Sequence, residues 1–216
     1  MYFETENGPL EADISRVVVA GWTGRDEEAV RHHIEELEAI GVPAPSVTPL
    51  YYRVSPSLLT RSDVITVLGD ETSGEAEPLI LKIDGVLWLG LASDHTDRGL
   101  ETFSVAHAKQ ICAKPVAGVL RRLDSVADLE ALELRSWIEE GGGWRLYQDG
   151  ALSAIKPLAE LIEGASLEDG DALLCGTLPA RGGVRPASLF RMELRDPAGG
   201  WAIEAAYRAE MQAVVA

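Results

Sequence analysis

The chain has 216 residues, 46% of them hydrophobic and 25% charged, a balance that excludes a disordered, collagenous or disulfide-framework protein. Lys and Arg number 19 against 35 Asp and Glu, a formal charge of −16. So acidic a surface repels phosphate backbones and anionic lipid, so neither nucleic acid nor membrane is an expected partner, while cations and small molecules stay open.

The N-terminal run MYFETENGPLEAD lacks the basic-then-apolar order of a secretory leader. The longest clean apolar run, VLWLGLA, is far short of the ~20 residues that cross a bilayer. A cytoplasmic protein with one domain over 1–216 is therefore expected. Residues 16–22 (RVVVAGW) read as a strand, and Thr23-Gly24-Arg25-Asp26 as a turn that starts a helix over 26–40. Gly41 and Pro43 stop that helix. At 100° per residue Val30, Ile34, Leu37 and Ile40 form one apolar stripe, and His33 projects inside it. Glu36, at i+3, can reach the imidazole. Such a pair suits general-base work, because an imidazole titrates near operating pH; it is equally a core-edge histidine satisfied by an acid.

Short β-type runs follow at 48–54 and 64–69. In 79–92, LILKIDGVLWLGLA, Asp84-Gly85 between two apolar runs is the strongest hairpin signal of the chain. Helices are expected over 100–112 and 156–164, and strands over 172–177 and 188–194 with a Pro- and Gly-rich loop between. The fold class is α+β.

A two-residue turn at Asp84-Gly85 pairs Ile83 with Val86 and, carried outward in the same register, Glu75 with Asp94. Glu77, two residues from Glu75, leaves the same strand face. Directly opposed like charges repel at a Cβ separation of roughly 4.5–5.5 Å, so three acids there need protons, solvent or a cation. Oxygen ligands select hard ions such as Mg²⁺, Mn²⁺ or Ca²⁺. The bland alternative is a solvated acidic loop beyond the hairpin's end, and Pro78 fits this face only at an edge or a bulge. Cys112 and Cys175 have no basic partner at readable spacing and read as packed thiols, and His95 as a structural partner. No Gly-x-Ser-x-Gly context surrounds Ser93 or Ser104.

Taken in order, these segments resemble the fumarylacetoacetate hydrolase superfamily, and more closely an uncharacterised bacterial branch of it. His33-Ile34-Glu35-Glu36-Leu37 resembles its His-x-x-Glu helix, and Tyr51-Tyr52-Arg53-Val54-Ser55 its β-run ending in Lys-Pro, with Arg53 in the Lys position. Glu75 and Glu77 match its Glu-x-Glu pair. Asp94-His95-Thr96-Asp97-Arg98-Gly99 resembles its aspartate run, and Lys109 the helical lysine that follows. Tyr147-Gln148-Asp149-Gly150, Gly170-Asp171 and Cys175-Gly176-Thr177 match later strand and loop signatures. The resemblance covers roughly 16–195.

It implies a mixed β-roll flanked by helices, commonly a homodimer, with a divalent metal (Mg²⁺, or Mn²⁺ or Ca²⁺) on Glu75, Glu77 and Asp94. His33, oriented by Glu36, would be the base; Lys109 would stabilise an oxyanion or substrate carboxylate. Thr177, Arg53, Arg98 and Gln148 would contact substrate. The implied activity is hydrolysis of a C–C bond in a small 2-oxo acid or 1,3-dicarbonyl compound. The same site serves a tautomerase or decarboxylase of a 2-oxo dicarboxylic acid, and a non-catalytic small-molecule-binding protein that kept the fold is a further alternative. Three departures touch the pocket: Gly99 in place of an acid (with Glu101 or Asp97 to compensate), Arg53 in place of Lys, and a longer loop at 177–185.

Overall fold

The computed structural model describes residues 1–39 and 41–215. In chain order, strands β1 (Tyr2–Thr5), β2 (Gly8–Glu11) and β3 (Arg16–Gly21) precede helix α1 (Glu27–Ala39). Then come β4 (Leu50–Val54), β5 (Leu59–Thr60), β6 (Val64–Leu68), β7 (Thr72–Ser73), β8 (Ala76–Ile83), β9 (Val86–Ser93) and β10 (Thr96–Asp97). Helices α2 (Arg98–Glu101) and α3 (Val105–Gln110) lead to β11 (Lys114–Pro115), β12 (Arg121–Arg122), β13 (Glu133–Glu140) and β14 (Gly143–Ala151). Helix α4 (Leu158–Ala165), β15 (Asp171–Leu174), β16 (Leu189–Asp196) and β17 (Trp201–Gln212) complete it.

Two mixed sheets carry the fold. One has the order β12-β9-β8-β15-β3-β4, the other β14-β13-β16-β17-β6. The first is covered on both faces, which explains why β3 (VVVA) and β15 (ALL) read as unbroken apolar runs. On one face Val18, Ile80, Leu91 and Leu173 meet Leu134, Phe190, Met192 and Ile203 of the second sheet, with Leu158 and Leu161 of α4. On the other face Val17, Val19, Leu79, Leu81, Ile83 and Leu174 form a second core with Phe3 and Leu120. The second sheet exposes its outer face, and β13 alternates buried and half-exposed accordingly. None of the described helices is long and apolar enough to cross a membrane. The expected α+β class and the mixed β-roll with flanking helices are both found.

The Asp84-Gly85 hairpin forms in the expected register, from Ile83 opposite Val86 out to Ala76 opposite Ser93 without a bulge. Both turn residues have positive φ, 52° and 75°, as a type I′ turn requires. Pro78 sits inside this central strand, contrary to the expectation of an edge or a bulge. A residue's N and C=O face the same side of a strand, and the Pro78 carbonyl accepts from Cys175 N at 3.0 Å, just past the end of β15. The missing donor therefore falls where the neighbouring ladder stops. The helix expected over 100–112 is two short helices, because Ser104 is extended and its side chain accepts from His107 N to begin α3.

Helix α1 matches the expected helix, except that Ile40 of the apolar stripe lies outside the described residues. Val30, Ile34 and Leu37 are only half-buried, and no residue of α1 is fully buried. A cavity of about 290 Å³, lined by Trp22, Val30, Ile34, Thr48 and Lys156 among others, lies beneath it.

Candidate metal centre

The hairpin register brings the acids together. Asp94 N donates to Glu75 O at 2.9 Å, one step beyond the last strand pair, so Glu75, Glu77 and Asp94 leave one face at one end of the sheet. One carboxylate oxygen from each lies within 4.8 Å of the others. Glu77 and Asp94 are buried, 2% and 0% exposed, and Glu75 is half-buried. The solvated-loop alternative is thereby excluded by burial.

Their charges are held by cations from the adjoining short helices and from β11. Lys109 of α3 bonds Asp94 Oδ2, and Lys114 Nζ stands 3.0 Å from Asp94 Oδ1 while donating to the His95 carbonyl at 2.6 Å. The Lys114 contact is an ion pair outside hydrogen-bond angles, so buried Oδ1 has no hydrogen-bond donor. Arg98 lies 3.0 Å from Glu75 and 3.1 Å from Glu101, and donates to Ser73 Oγ at 2.7 Å. Burial opposes ionisation of Asp94, but Lys109 and Lys114 overcome it and hold the carboxyl below the usual range. Glu77 goes the other way. Burial, with the Asp94 charge added, pushes it well above a normal glutamate, although Gly176 N donates to it at 2.8 Å.

Gly176 is required there on two counts. Its φ is +88°, and a Cβ would stand 1.8 Å from Thr23 Oγ1.

Between Glu75 and Glu77, the Ala76 backbone is clamped where β15 no longer reaches. Gln148 Oε1 accepts from Ala76 N at 2.9 Å, and Thr177 Oγ1 donates to Ala76 O at 2.6 Å. Gln148 also accepts from Ser136 at 2.6 Å and donates to Thr177 at 2.6 Å and Leu178 O at 2.8 Å. Gln148 was expected on the substrate. It is instead 1% exposed with its amide fully engaged by protein, and it fixes the strand that carries Glu75 and Glu77. Thr177 is likewise turned to Ala76 and Gln148. Behind Glu75, Ser93 Oγ accepts from Glu75 N at 3.2 Å and meets Tyr207 OH at 2.8 Å. His95 lies between Tyr207 and Thr72, 2.9 Å from each. Burial and the Lys114 charge lower its pKa to about 3, so it is a neutral structural partner, as expected.

Four expected residues are placed away from this cluster or differently within it. His33 is 60% exposed, not inside a buried stripe, because α1 packs loosely; Glu36 is 3.5 Å away and equally exposed. Among the described residues, no hydrogen bond or ion pair joins either to the acids. The link is indirect: the His33 ring lies 6.2 Å from Trp22, whose Nε1 donates to Tyr52 OH at 3.0 Å, and the Tyr52 ring lies 5.7 Å from Lys109 Nζ. Arg53 is exposed and has the wrong strand parity. It pairs with Val18, which faces the other core, whereas Tyr52 pairs with Val19 on the acid face. Arg98 touches Glu75 and Glu101 rather than open space. At Gly99 the space of the missing acid is filled by Glu71, whose Oε2 stands 2.5 Å from an added Cβ; Asp97 caps α2 through Leu100 N.

Lys114 and Tyr207 carry no motif in the sequence; Tyr52 and Gly176 stand inside matched segments without a role of their own there, although strand parity would have preferred Tyr52 to Arg53.

A family described as "Protein of unknown function (DUF2848)" matches residues 20–207. No curated protein matches the chain. Among solved structures, the chain superposes on one described as a fumarylacetoacetate hydrolase family protein from Yersinia pestis CO92. The TM-score is 0.68 at 17% identity, covering 97% of this chain and 100% of that one. The 5-carboxymethyl-2-hydroxymuconate delta-isomerase of Mycobacterium smegmatis gives 0.66 at 18%, covering 93% and 80%. Maleylpyruvate hydrolase of Sphingobium sp. SYK-6, solved with manganese(II) and pyruvate, gives 0.62 at 17%, covering 91% and 70%. The fold is that of the fumarylacetoacetate hydrolase family.

Proposed function

We propose that this chain, which belongs to the DUF2848 family, is a divalent-metal-dependent enzyme that cleaves a carbon–carbon bond in a small 2-oxo acid or 1,3-dicarbonyl compound. The observation that carries this reading is the convergence of three carboxylates within 4.8 Å, with the buried Oδ1 of Asp94 left without a donor. Three carboxylates converging at one end of a sheet form an all-oxygen donor set that a hard dication would complete. Glu75, Glu77 and Asp94 would hold the ion. An all-oxygen donor set suits Mg²⁺ or Mn²⁺, with Ca²⁺ a third candidate. When bound, the ion supplies Lewis acidity at a carbonyl and stabilises enolate charge as it develops.

The remaining chemistry belongs to the chain itself. Lys109 is a buried, charged donor beside the acids, suited to bind a substrate carboxylate or a developing oxyanion. Arg98 orients Glu75 from behind; Gln148 and Thr177 fix Ala76 so that Glu75 and Glu77 keep one face. In this reading His33 takes a proton from water, Glu36 orients it, and α1 brings both over the acids by closing toward them. A decarboxylase or tautomerase relying on Lys109 is the second reading, and the exposure of His33 favours it. The homodimer implied by the resemblance goes with either and is checked by light scattering.

The test is incubation of the Mn²⁺-loaded protein with acylpyruvates and with oxaloacetate. Release of two acids from an acylpyruvate is the expected result. Carbon dioxide from oxaloacetate alone, or enol–keto exchange without cleavage, would establish the second reading. A protein that binds no divalent ion at millimolar concentration would be a non-catalytic binding protein.

A further inference from the structure

Each acid of the trio except Glu77 already has a cation on it. Arg98 stands 3.0 Å from Glu75, Lys114 stands 3.0 Å from Asp94 Oδ1, and Lys109 bonds Asp94 Oδ2. Glu101 adds a fourth acid, 3.1 Å from Arg98. These groups are largely buried, so their charges act at low dielectric and an arriving dication meets three like charges at close range. A centre built for tight capture of a bare ion would leave its carboxylates free of ammonium groups.

The three cations are not equivalent. Arg98 is also fixed by Ser73 Oγ at 2.7 Å and Lys114 by the His95 carbonyl at 2.6 Å, so both are anchored from the protein side. Lys109 has no second hydrogen-bond acceptor among the described residues; besides the acids, it faces the ring of Tyr52, 5.7 Å from Nζ to the centroid. A flexible four-carbon stem lets an ammonium move between partners at little cost.

We propose that Lys109 fills the electrostatic place of a divalent ion at Asp94 and moves to the carboxylate of an incoming 2-oxo acid when the ion binds, which makes binding of ion and acid cooperative. This rests on the metal-centre reading above. The ion adds two positive charges to a cluster whose Glu75 and Asp94 are already paired, and a displaced ammonium needs a new anion. A chelating carboxylate supplies both neutralisation and a partner, so each ligand raises the affinity of the other by the same factor.

The experiment is a Mn²⁺ titration followed by the electron paramagnetic resonance signal of the free ion, with and without oxalate, corrected for Mn–oxalate formed in solution. In the wild-type protein oxalate is expected to tighten Mn²⁺ binding by about tenfold or more, or about 1.4 kcal/mol. Lys109→Met is expected to bind Mn²⁺ alone about tenfold more tightly than wild type and to show an oxalate effect about tenfold smaller, leaving only the part due to direct chelation. Should Lys109→Met fail to fold, Lys109→Gln, which removes the charge and keeps a donor, is expected to behave the same way. A Lys109 variant that binds Mn²⁺ no more tightly than wild type, or a wild type indifferent to oxalate, would overturn the proposal while leaving the metal centre standing. Absence of Mn²⁺ binding under every condition would remove both.

Discussion

Glu77 carries, at one residue, the cost of burying this carboxylate cluster. It is 2% exposed, and burial together with the Asp94 charge raises its pKa well above that of an ordinary glutamate. The folded chain therefore holds the Glu77 proton more tightly than the unfolded chain. The sign follows: apoprotein stability falls as pH rises from the ordinary glutamate range through the raised value. Asp94 runs oppositely. Its pKa is depressed, so its contribution is present at neutral pH and lost only in strong acid. Metal must displace the Glu77 proton, so affinity for Mn²⁺ is expected to increase across the window in which apoprotein stability declines, with protons released on binding. Calorimetry in buffers of differing ionisation enthalpy measures that release. Glu77→Gln removes the ionisable group at nearly constant shape, so at pH values above the raised pKa no charge has to be buried. It is expected to raise the apoprotein melting temperature while weakening Mn²⁺ binding by at least about a hundredfold. Paired thermal melts and metal titrations would register both changes, and a variant that loses stability as well would refute the assigned charge state. Thr177→Val leaves the Ala76 carbonyl and one Gln148 donor unmatched, so a loss of about 1–3 kcal/mol in urea unfolding is expected. Metal affinity should also fall, by about 10- to 100-fold as for other residues that support ligands.

At the scale of elements, local chemistry decided what the sequence disclosed. The β8–β9 hairpin was legible because Asp84-Gly85 admits one turn type, and the turn fixes every pair out to the acids. The three-acid site followed from that register. β17 was not singled out, since EAAYRAEMQ is rich in good helix formers; its extended state comes from pairing with β16 and β6, a tertiary effect that overrides propensity. Lys114 and Tyr207 were hidden for a related reason. They reach the centre from β11 and β17, and no local spacing reports a contact made across 112 residues, as between His95 and Tyr207. Helix α1 misled in the opposite sense, because its amphipathic stripe is real while the surface it faces is a cavity. Its attachment is accordingly weak. In native-state hydrogen exchange, α1 amides beyond the first turn are expected to exchange well before those of β8 and β15, whose neighbours are fully buried. Ile34→Ala should cost less than Leu81→Ala, for which a loss of about 2–5 kcal/mol is usual in a packed core. Equal protection in α1 and β8 would show that the helix is not free to move.

The whole molecule concentrates opposite charge at its carboxylate cluster. Against a net charge of −16, it places Arg98, Lys109 and Lys114 around one carboxylate cluster at the end of its six-stranded sheet. The acidic exterior draws divalent cations toward the molecule and keeps polyanions away, while the local cations leave room for a small organic acid. Two sheets packed face to face hold this end rigid: the inner sheet supplies the three acids, and the outer one contributes Gln148 and Tyr207 from behind. The most direct measurement is a crystal grown with Mn²⁺ and examined for anomalous scattering at the manganese edge. A single strong peak within bonding distance of oxygens from Glu75, Glu77 and Asp94 is expected. A peak bound elsewhere, or none at millimolar Mn²⁺ with the three carboxylates still clustered, would contradict the account.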